Sequence, residues 1–259
     1  MTENKYSKIL VLGAGPVVIG SSSEYDYSAV SVCRALKEEG ISVVSVNSNP
    51  DTIMTDKNVA DTVYIEPLNG ETVKKIIEKE IPDAIIGTTG GEAGLEICLE
   101  LLQNGYLDEH GTKLLGVKPE TIKAIRNEQA LRDTLENVGE PYVSAKVLPT
   151  DAECVTFAGE IGFPVLISPA FTPDFSEPIR CENADDILSG FGSCAERSLV
   201  NEVYVRKCVD DYKEVEFVAM RDSFGNCISV SSTENIDSVG IHSGDSIVVI
   251  PAQTLTDSE

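Results

Sequence analysis

Lys8-Ile-Leu-Val-Leu-Gly-Ala-Gly-Pro16 decides the fold. An apolar run without alternation enters a turn of two glycines and a proline, the pattern of a strand covered on both faces that then stops abruptly. Downstream, Val30, Cys33, Ala35 and Leu36 recur at helical spacing between Glu24 and Gly40, and Gly40 is placed to end that helix. Apolar runs at 43–46, 63–65 and 84–86 read as further strands, with helical patterns near 72–79 and 94–104. Residues 114–117 read as the last strand of this unit, and Pro119 opens a short helix. Alternating strands and helices predict a mainly parallel sheet with right-handed crossovers, an α/β unit ending near residue 125.

The pattern then changes. A helix is expected over 128–138, a strand near 143–147, a helix over 153–161 and a strand at 165–167. After Val200 the chain turns strand-rich. Val215, Phe217 and Ala219 alternate with Glu214, Glu216 and Val218, and Ser223-Phe-Gly-Asn226 connects them to Ile228 and Val230, which is hairpin patterning. The second unit is therefore α+β. Two units also suit 259 residues at about 150 per domain. No internal repeat or low-complexity segment interrupts them, and the junction over 118–127 is short.

Twenty Lys+Arg against 43 Asp+Glu leave a net charge of −23, which would repel a phosphate backbone or an anionic membrane surface. Neither nucleic acid nor membrane is expected as a partner. The carboxylate excess fits either a solubility device or a high-salt adaptation. The longest apolar stretch, 9–20, is broken by Gly13, Gly15 and Pro16 and is short of the ~20 residues of a membrane span. Residues 1–8 are polar and lack a small-residue cleavage site, so the expected location is cytoplasmic. Seven scattered cysteines without a C-x-x-C, and two histidines, argue against a zinc site or a disulfide framework; most of the cysteines are expected as buried thiols.

Three segments are candidates for chemistry. Residues 13–20 begin like a dinucleotide fingerprint, but its third glycine falls at Val18 and Pro16 removes a backbone donor, so a structural turn is the better reading and no dinucleotide is assigned. Thr88-Thr-Gly-Gly91 could offer amides to an anion or be a plain turn. Glu234-Asn-Ile-Asp237 with Gly240-Ile-His-Ser-Gly-Asp-Ser246 packs polar and glycine residues between apolar strands, as binding loops do. A lone histidine is most often structural, and this loop raises the standing of His242 as a ligand contact.

The ordered series Leu12-Gly-Ala-Gly-Pro16, Glu24-Tyr-Asp-Tyr-Ser28, Val46-Asn-Ser-Asn-Pro50, Met54-Thr-Asp56, Tyr64-Ile-Glu-Pro67, Gly90-Gly91, Gly162-Phe-Pro164, Glu234-Asn235, the 240–246 loop and Pro251-Ala-Gln-Thr-Leu255 resembles the large subunit of carbamoyl phosphate synthetase. It is similar to the start of the first synthetic half, which activates bicarbonate with ATP to carboxyphosphate before ammonia from glutamine attacks. The resemblance implies a Rossmann-like pre-ATP-grasp domain over 1–125. It implies the first part of an ATP-grasp domain, α+β and truncated, over 126–259. It further implies ATP and Mg as cofactors, and as partners a protein completing the ATP-grasp domain or a glutamine amidotransferase subunit.

The same resemblance marks departures, and they cluster at ATP. Gln129 stands where the family has an arginine, Ser168 where it has an arginine or lysine, and Lys207 where it has an acidic residue. Thr172-Pro-Asp-Phe-Ser-Glu-Pro178 replaces a glycine-rich lid. Glu214, Gly240, Ile241 and His242 match family positions that contact the nucleotide. The metal ligands of the family lie further along than Glu259, so neither catalytic nor metal residues are assigned. The expectation is a degenerate, non-catalytic relative with weak or absent binding of ATP and Mg. The alternative is one component of a divided carbamoyl phosphate synthetase, completed by another chain.

Overall fold

The computed structural model describes residues 5–16, 23–126, 128–170, 178–198, 200–210, 212–241 and 246–256. Contacts divide the chain into two compact units, the first over Met1–Thr134 and the second over Leu135–Ile241 with Ile247–Glu259.

The first unit runs β1 (Lys8–Leu12), α1 (Ser23–Glu38), β2 (Ser42–Asn47), β3 (Thr62–Ile65), α2 (Gly70–Glu80), β4 (Ala84–Ile86), α3 (Gly91–Gln103), the one-turn α4 (Tyr106–Glu109), β5 (Lys113–Leu115) and α5 (Pro119–Arg126). Its sheet is parallel throughout, in the order β3-β2-β1-β4-β5. Successive side chains of a strand point to opposite faces, and here both faces are covered. Leu10 and Leu12 of β1 pack with Val73, Ile77 and Leu101 from α2 and α3. Ile9 and Val11 pack with Ala29, Val30 and Cys33 of α1. That two-sided burial is why β1 carries no polar alternation.

Helix ends follow local chemistry. Asn69 caps α2 by accepting from Thr72 N at 2.9 Å, and Glu24 and Asp26 lie in the first turn of α1 with Lys37 in its last. Carboxylates also pin the sheet. Asp83 accepts from Ser7 N at 2.6 Å and Lys8 N at 2.9 Å, and Asp61 accepts from Val43 N at 2.8 Å. Those backbone donors hold both carboxyls below their ordinary value of 3.8.

A depressed folded-state pKa contributes stability that is present above the unfolded value and is lost as pH falls through the folded value. Stability of the first unit is therefore expected to decline as pH drops below 3.8. Asp83→Asn is expected to flatten that decline and to lower stability at neutral pH. Urea titrations across pH 2.5–7 check this, and an unchanged pH profile in the variant would refute the assignment.

Helix α6 (Glu128–Val138) leads into the second unit, which runs β6 (Ala145–Leu148), α7 (Asp151–Ile161), β7 (Val165–Pro169), β8 (Ile179–Cys181), α8 (Ala184–Arg197) and β9 (Val203–Lys207). These strands form an antiparallel sheet ordered β6-β9-β7-β8. Val165 and Ile167 of β7 and Val203 and Val205 of β9 share a core with Cys154, Ala158, Ile187 and Cys194 of α7 and α8. By the period of two, Leu166, Ser168, Tyr204 and Arg206 occupy the opposite face, away from the helices. A separate three-stranded sheet, β10 (Val215–Arg221), β11 (Cys227–Asn235) and β12 (Val248–Val249), completes the unit.

The expected mixed α/β architecture is present. The structure adds β8, α8 and α4, and it shifts the expected strand at 143–147 to β6, two residues later at its start. All seven cysteines are free thiols; six are buried and Cys227 is exposed. Burial pushes the Cys98 thiol up to about 12 and Cys33 up to about 11, so neither is a ready nucleophile. No helix among the described residues is long and apolar enough to cross a membrane.

Candidate functional site

The sheet of the first unit reverses its strand order between β1 and β4, where open α/β sheets commonly bind ligands. Here the space is filled from within. Asn47, at the end of β2 and buried, accepts from Gly15 N at 3.0 Å and from Asn49 N at 3.2 Å. Gly13 N donates to Val46 O at 2.8 Å, and the Thr89 hydroxyl donates to Leu12 O at 2.8 Å. A Cβ on Gly13 would lie 2.6 Å from Asn47 Nδ2, and one on Gly90 would lie 2.8 Å from Gly13 O. These glycines therefore serve the close approach of protein to protein. With the amides of Gly13 and Gly15 already engaged, the turn has the features of a structural one. Gly90 N likewise donates to Gly87 O at 3.0 Å, which makes Thr88–Gly90 a closed helical turn at the start of α3.

The second location lies on the helix-free face of the four-stranded sheet. A cavity of about 160 Å³ there is lined by the mostly apolar Val143, Leu166, Tyr204, Val209, Val239 and Gly240 and by the polar Arg206, Lys207 and Asp210. A mostly apolar lining with a few polar groups suits a flat ring system, and the volume is below that of a pocket enclosing a whole cofactor. Arg180 of β8 reinforces the polar side, pairing with Asp210 and placing Nη1 3.1 Å from Cys208 Sγ.

Of the sequence-derived residues, Gly240 lines this cavity with φ +85°. Glu214 lies just before β10, half-buried, and its carbonyl accepts from Asn235 N at 3.0 Å; Ile241 is exposed and donates its N–H to Ser238 O. Neither is among the residues that wall the cavity. His242, the side chain of Gln129 and the segment 171–177 lie outside the described residues. Ser168 stands on the open face, directly opposite Tyr204.

Lys207 has a role the sequence did not reveal. It falls on the helix side of β9, and its Nζ donates to Gly162 O at 2.9 Å and Phe163 O at 3.2 Å, the carbonyls of the C-cap of α7 and of the residue after it. A cation at a helix C-terminus satisfies orphan carbonyls and complements the helix dipole. The charge is spent on the fold.

Glu234 is a second residue missed as a structural group. Only 5% exposed, it accepts from Gln253 N at 2.9 Å, Thr254 N at 3.0 Å and the Thr254 hydroxyl. The Thr254 hydroxyl and these amides hold its carboxyl below the ordinary 4.5. Among the described residues, no group of three His, Cys, Asp or Glu side chains is placed to hold a metal.

Comparison with known proteins places the chain. Residues 5–124 match the carbamoyl phosphate synthase preATP-grasp domain, and residues 127–259 match the carbamoyl-phosphate synthase L chain ATP binding domain. The carbamoyl phosphate synthase large chain of Agathobacter rectalis is 48% identical over 99% of this chain, and that of Lachnoclostridium phytofermentans is 47% identical over 99%. The chain spans about a quarter of the length of these relatives, 24% in each case. Among solved structures, the biotin carboxylase domain of Hydrogenobacter thermophilus 2-oxoglutarate carboxylase is 20% identical, with a TM-score of 0.69 over 90% of this chain and 51% of that one. Biotin carboxylase from Campylobacter jejuni is 20% identical, with a TM-score of 0.68 over 89% of this chain and 51% of that one. At such identity these two show the fold alone. The sequence matches show more: this chain belongs to the carbamoyl phosphate synthase large-chain family, and it corresponds to the N-terminal quarter of its members.

Proposed function

We propose that this chain supplies the pre-ATP-grasp domain, residues 1–125, and the first part of the ATP-grasp domain, residues 126–259, of an ATP-dependent bicarbonate-activating carbamoyl phosphate synthase. A further polypeptide segment completes the nucleotide site, and a glutamine amidotransferase subunit supplies ammonia. The observation that carries this reading is the cavity on the open face of the four-stranded sheet, within the residues that match the ATP binding domain, in a chain that spans 24% of its relatives.

Val143, Leu166 and Tyr204 offer apolar walls for the nucleotide base, and Gly240 lets the backbone approach it without a side chain in the way. The family resemblance implies that Glu214, Ile241 and His242 also contact the nucleotide. Magnesium ATP, when bound, supplies the phosphoryl group that bicarbonate accepts. The family resemblance assigns the metal ligands to segments further along than residue 259, in the completing segment. The fold neighbour from Hydrogenobacter thermophilus was solved with MgADP and bicarbonate, which supports this choice of ligands.

A non-catalytic scaffold is the second reading. The ammonium of Lys207 is committed to Gly162 and Phe163, and Ser168 puts no charge on the open face. The test is phosphate release when this chain is mixed with the part of the Agathobacter rectalis large chain that follows the matched stretch. Release that requires both polypeptides and bicarbonate is expected. A folded complex without release would overturn the first reading in favour of the second.

A further inference from the structure

Three charged side chains line the cavity of the second unit, and two of them are engaged elsewhere. Lys207 turns its ammonium to the carbonyls of Gly162 and Phe163 on the helix side of β9. Asp210 pairs with Arg180, which also bonds Glu182 at 2.7 Å. Arg206 is left. It stands opposite Leu166 in register and so on the open face, two residues along β9 from Tyr204, which shares that face. Among the described residues no side chain pairs with its guanidinium, in a chain where 43 Asp+Glu outnumber 20 Lys+Arg. An arginine that so acidic a chain leaves unpaired, lining a ring-sized cavity, is placed for a ligand rather than for the fold.

The chemistry of that ligand follows from the group that meets it. A guanidinium only donates, through five N–H groups in a planar fork. A ring beside it gains if its edge carries acceptors and loses if that edge carries an amino group. The two purines differ at this point. Guanine presents O6 and N7, two acceptors that the fork of an arginine meets together, whereas adenine presents N7 beside the N6 amino donor. The one carboxylate in the lining, Asp210, is already drawn on by Arg180 and leaves Arg206 as the uncommitted charge facing the base.

We infer that Arg206 sets the base specificity of this site by donating to O6 and N7 of a 6-oxopurine, so that the chain takes guanosine and inosine nucleotides in preference to adenosine nucleotides. This inference rests on the reading given under Proposed function and names the base that the cavity selects. ATP is then the weaker of two substrates.

The experiment titrates the whole chain with GDP, IDP and ADP, each with magnesium, and follows binding by ligand-observed NMR, which reaches weak affinities. GDP and IDP are expected to bind about fivefold or more tightly than ADP, since inosine keeps O6 and N7 and lacks only the 2-amino group. Glutamine pairs with N6 and N7 of adenine, so Arg206→Gln is expected to move the preference to ADP, and Arg206→Leu to remove it. ADP that binds the wild type as well as GDP does would overturn the inference. A preference for GDP that IDP does not share, or that survives Arg206→Gln, would do the same. An arginine that only attracts phosphate would, when replaced, weaken all three nucleotides equally, and that result also overturns the base assignment. In the mixture with the completing segment, bicarbonate-dependent phosphate release from ATP without this ranking would uphold the catalytic reading and overturn the base assignment; the ranking without release from either ATP or GTP would do the reverse.

Discussion

Mg-ATP is expected to bind this chain alone about two to four decades more weakly than it binds a site with its full set of phosphate contacts. Gln129 and Ser168 stand where the family resemblance implies cationic side chains, and a charge-assisted hydrogen bond is worth about 1.5–3 kcal/mol. Two such losses amount to about 3–6 kcal/mol, at about 1.4 kcal/mol per decade. The cavity of about 160 Å³ adds apolar contact for one ring system and little more. Titration calorimetry checks this. Addition of the completing segment is expected to raise the affinity at least tenfold, because metal ligands then become available. A micromolar dissociation constant for the chain alone would show that the pocket is already complete.

Restoring the acidic residue at position 207 is expected to damage the protein rather than repair it. Lys207 Nζ bonds the carbonyls of Gly162 and Phe163, and Lys207→Met removes those bonds at a cost of about 1.5–3 kcal/mol, less whatever water restores at this half-buried site. Lys207→Glu sets a carboxylate against the same oxygens at the C-terminus of α7, adding about 0.3–1 kcal/mol of unfavourable dipole interaction. Thermal melting should therefore rank wild type above Lys207→Met and Lys207→Met above Lys207→Glu. Lys207→Glu should gain no nucleotide affinity. Equal melting temperatures, or a gain in affinity, would show that the Lys207 ammonium does not serve the helix end.

The contrast between β1 and Lys207 shows what a sequence can carry. Burial on both faces leaves an uninterrupted apolar run, so β1 and the turn at Gly13 were legible, as was the alternating hairpin of β10 and β11. Helix α8 was not. Its interior carries Gly190 and Gly192, which weaken the helical signal, and Gly190 is there because a Cβ would come within 3.0 Å of Ile167. The Asn183 cap, accepting from Asp185 N and Asp186 N, was its best local mark.

Lys207 was legible as a departure from the family but not as a helix-end ligand. Its role depends on which face of β9 it occupies and on where α7 stops, a relation between residues 45 positions apart. Asn47 and Glu234 were hidden in the same way. Each looks like an ordinary polar residue of a motif, and only the fold shows that it is buried and answers two backbone amides.

The central claim is that this chain forms part of a site where bicarbonate attacks ATP, and oxygen-18 bicarbonate tests it directly. When a bicarbonate oxygen attacks the γ-phosphorus, the bond to ADP breaks, and the attacking oxygen stays on phosphorus in the phosphate finally released. Phosphate from the mixture of this chain with the completing segment is expected to carry one labelled oxygen, whereas either polypeptide alone should release none. Unlabelled phosphate, formed at the same rate with and without bicarbonate, would contradict the account.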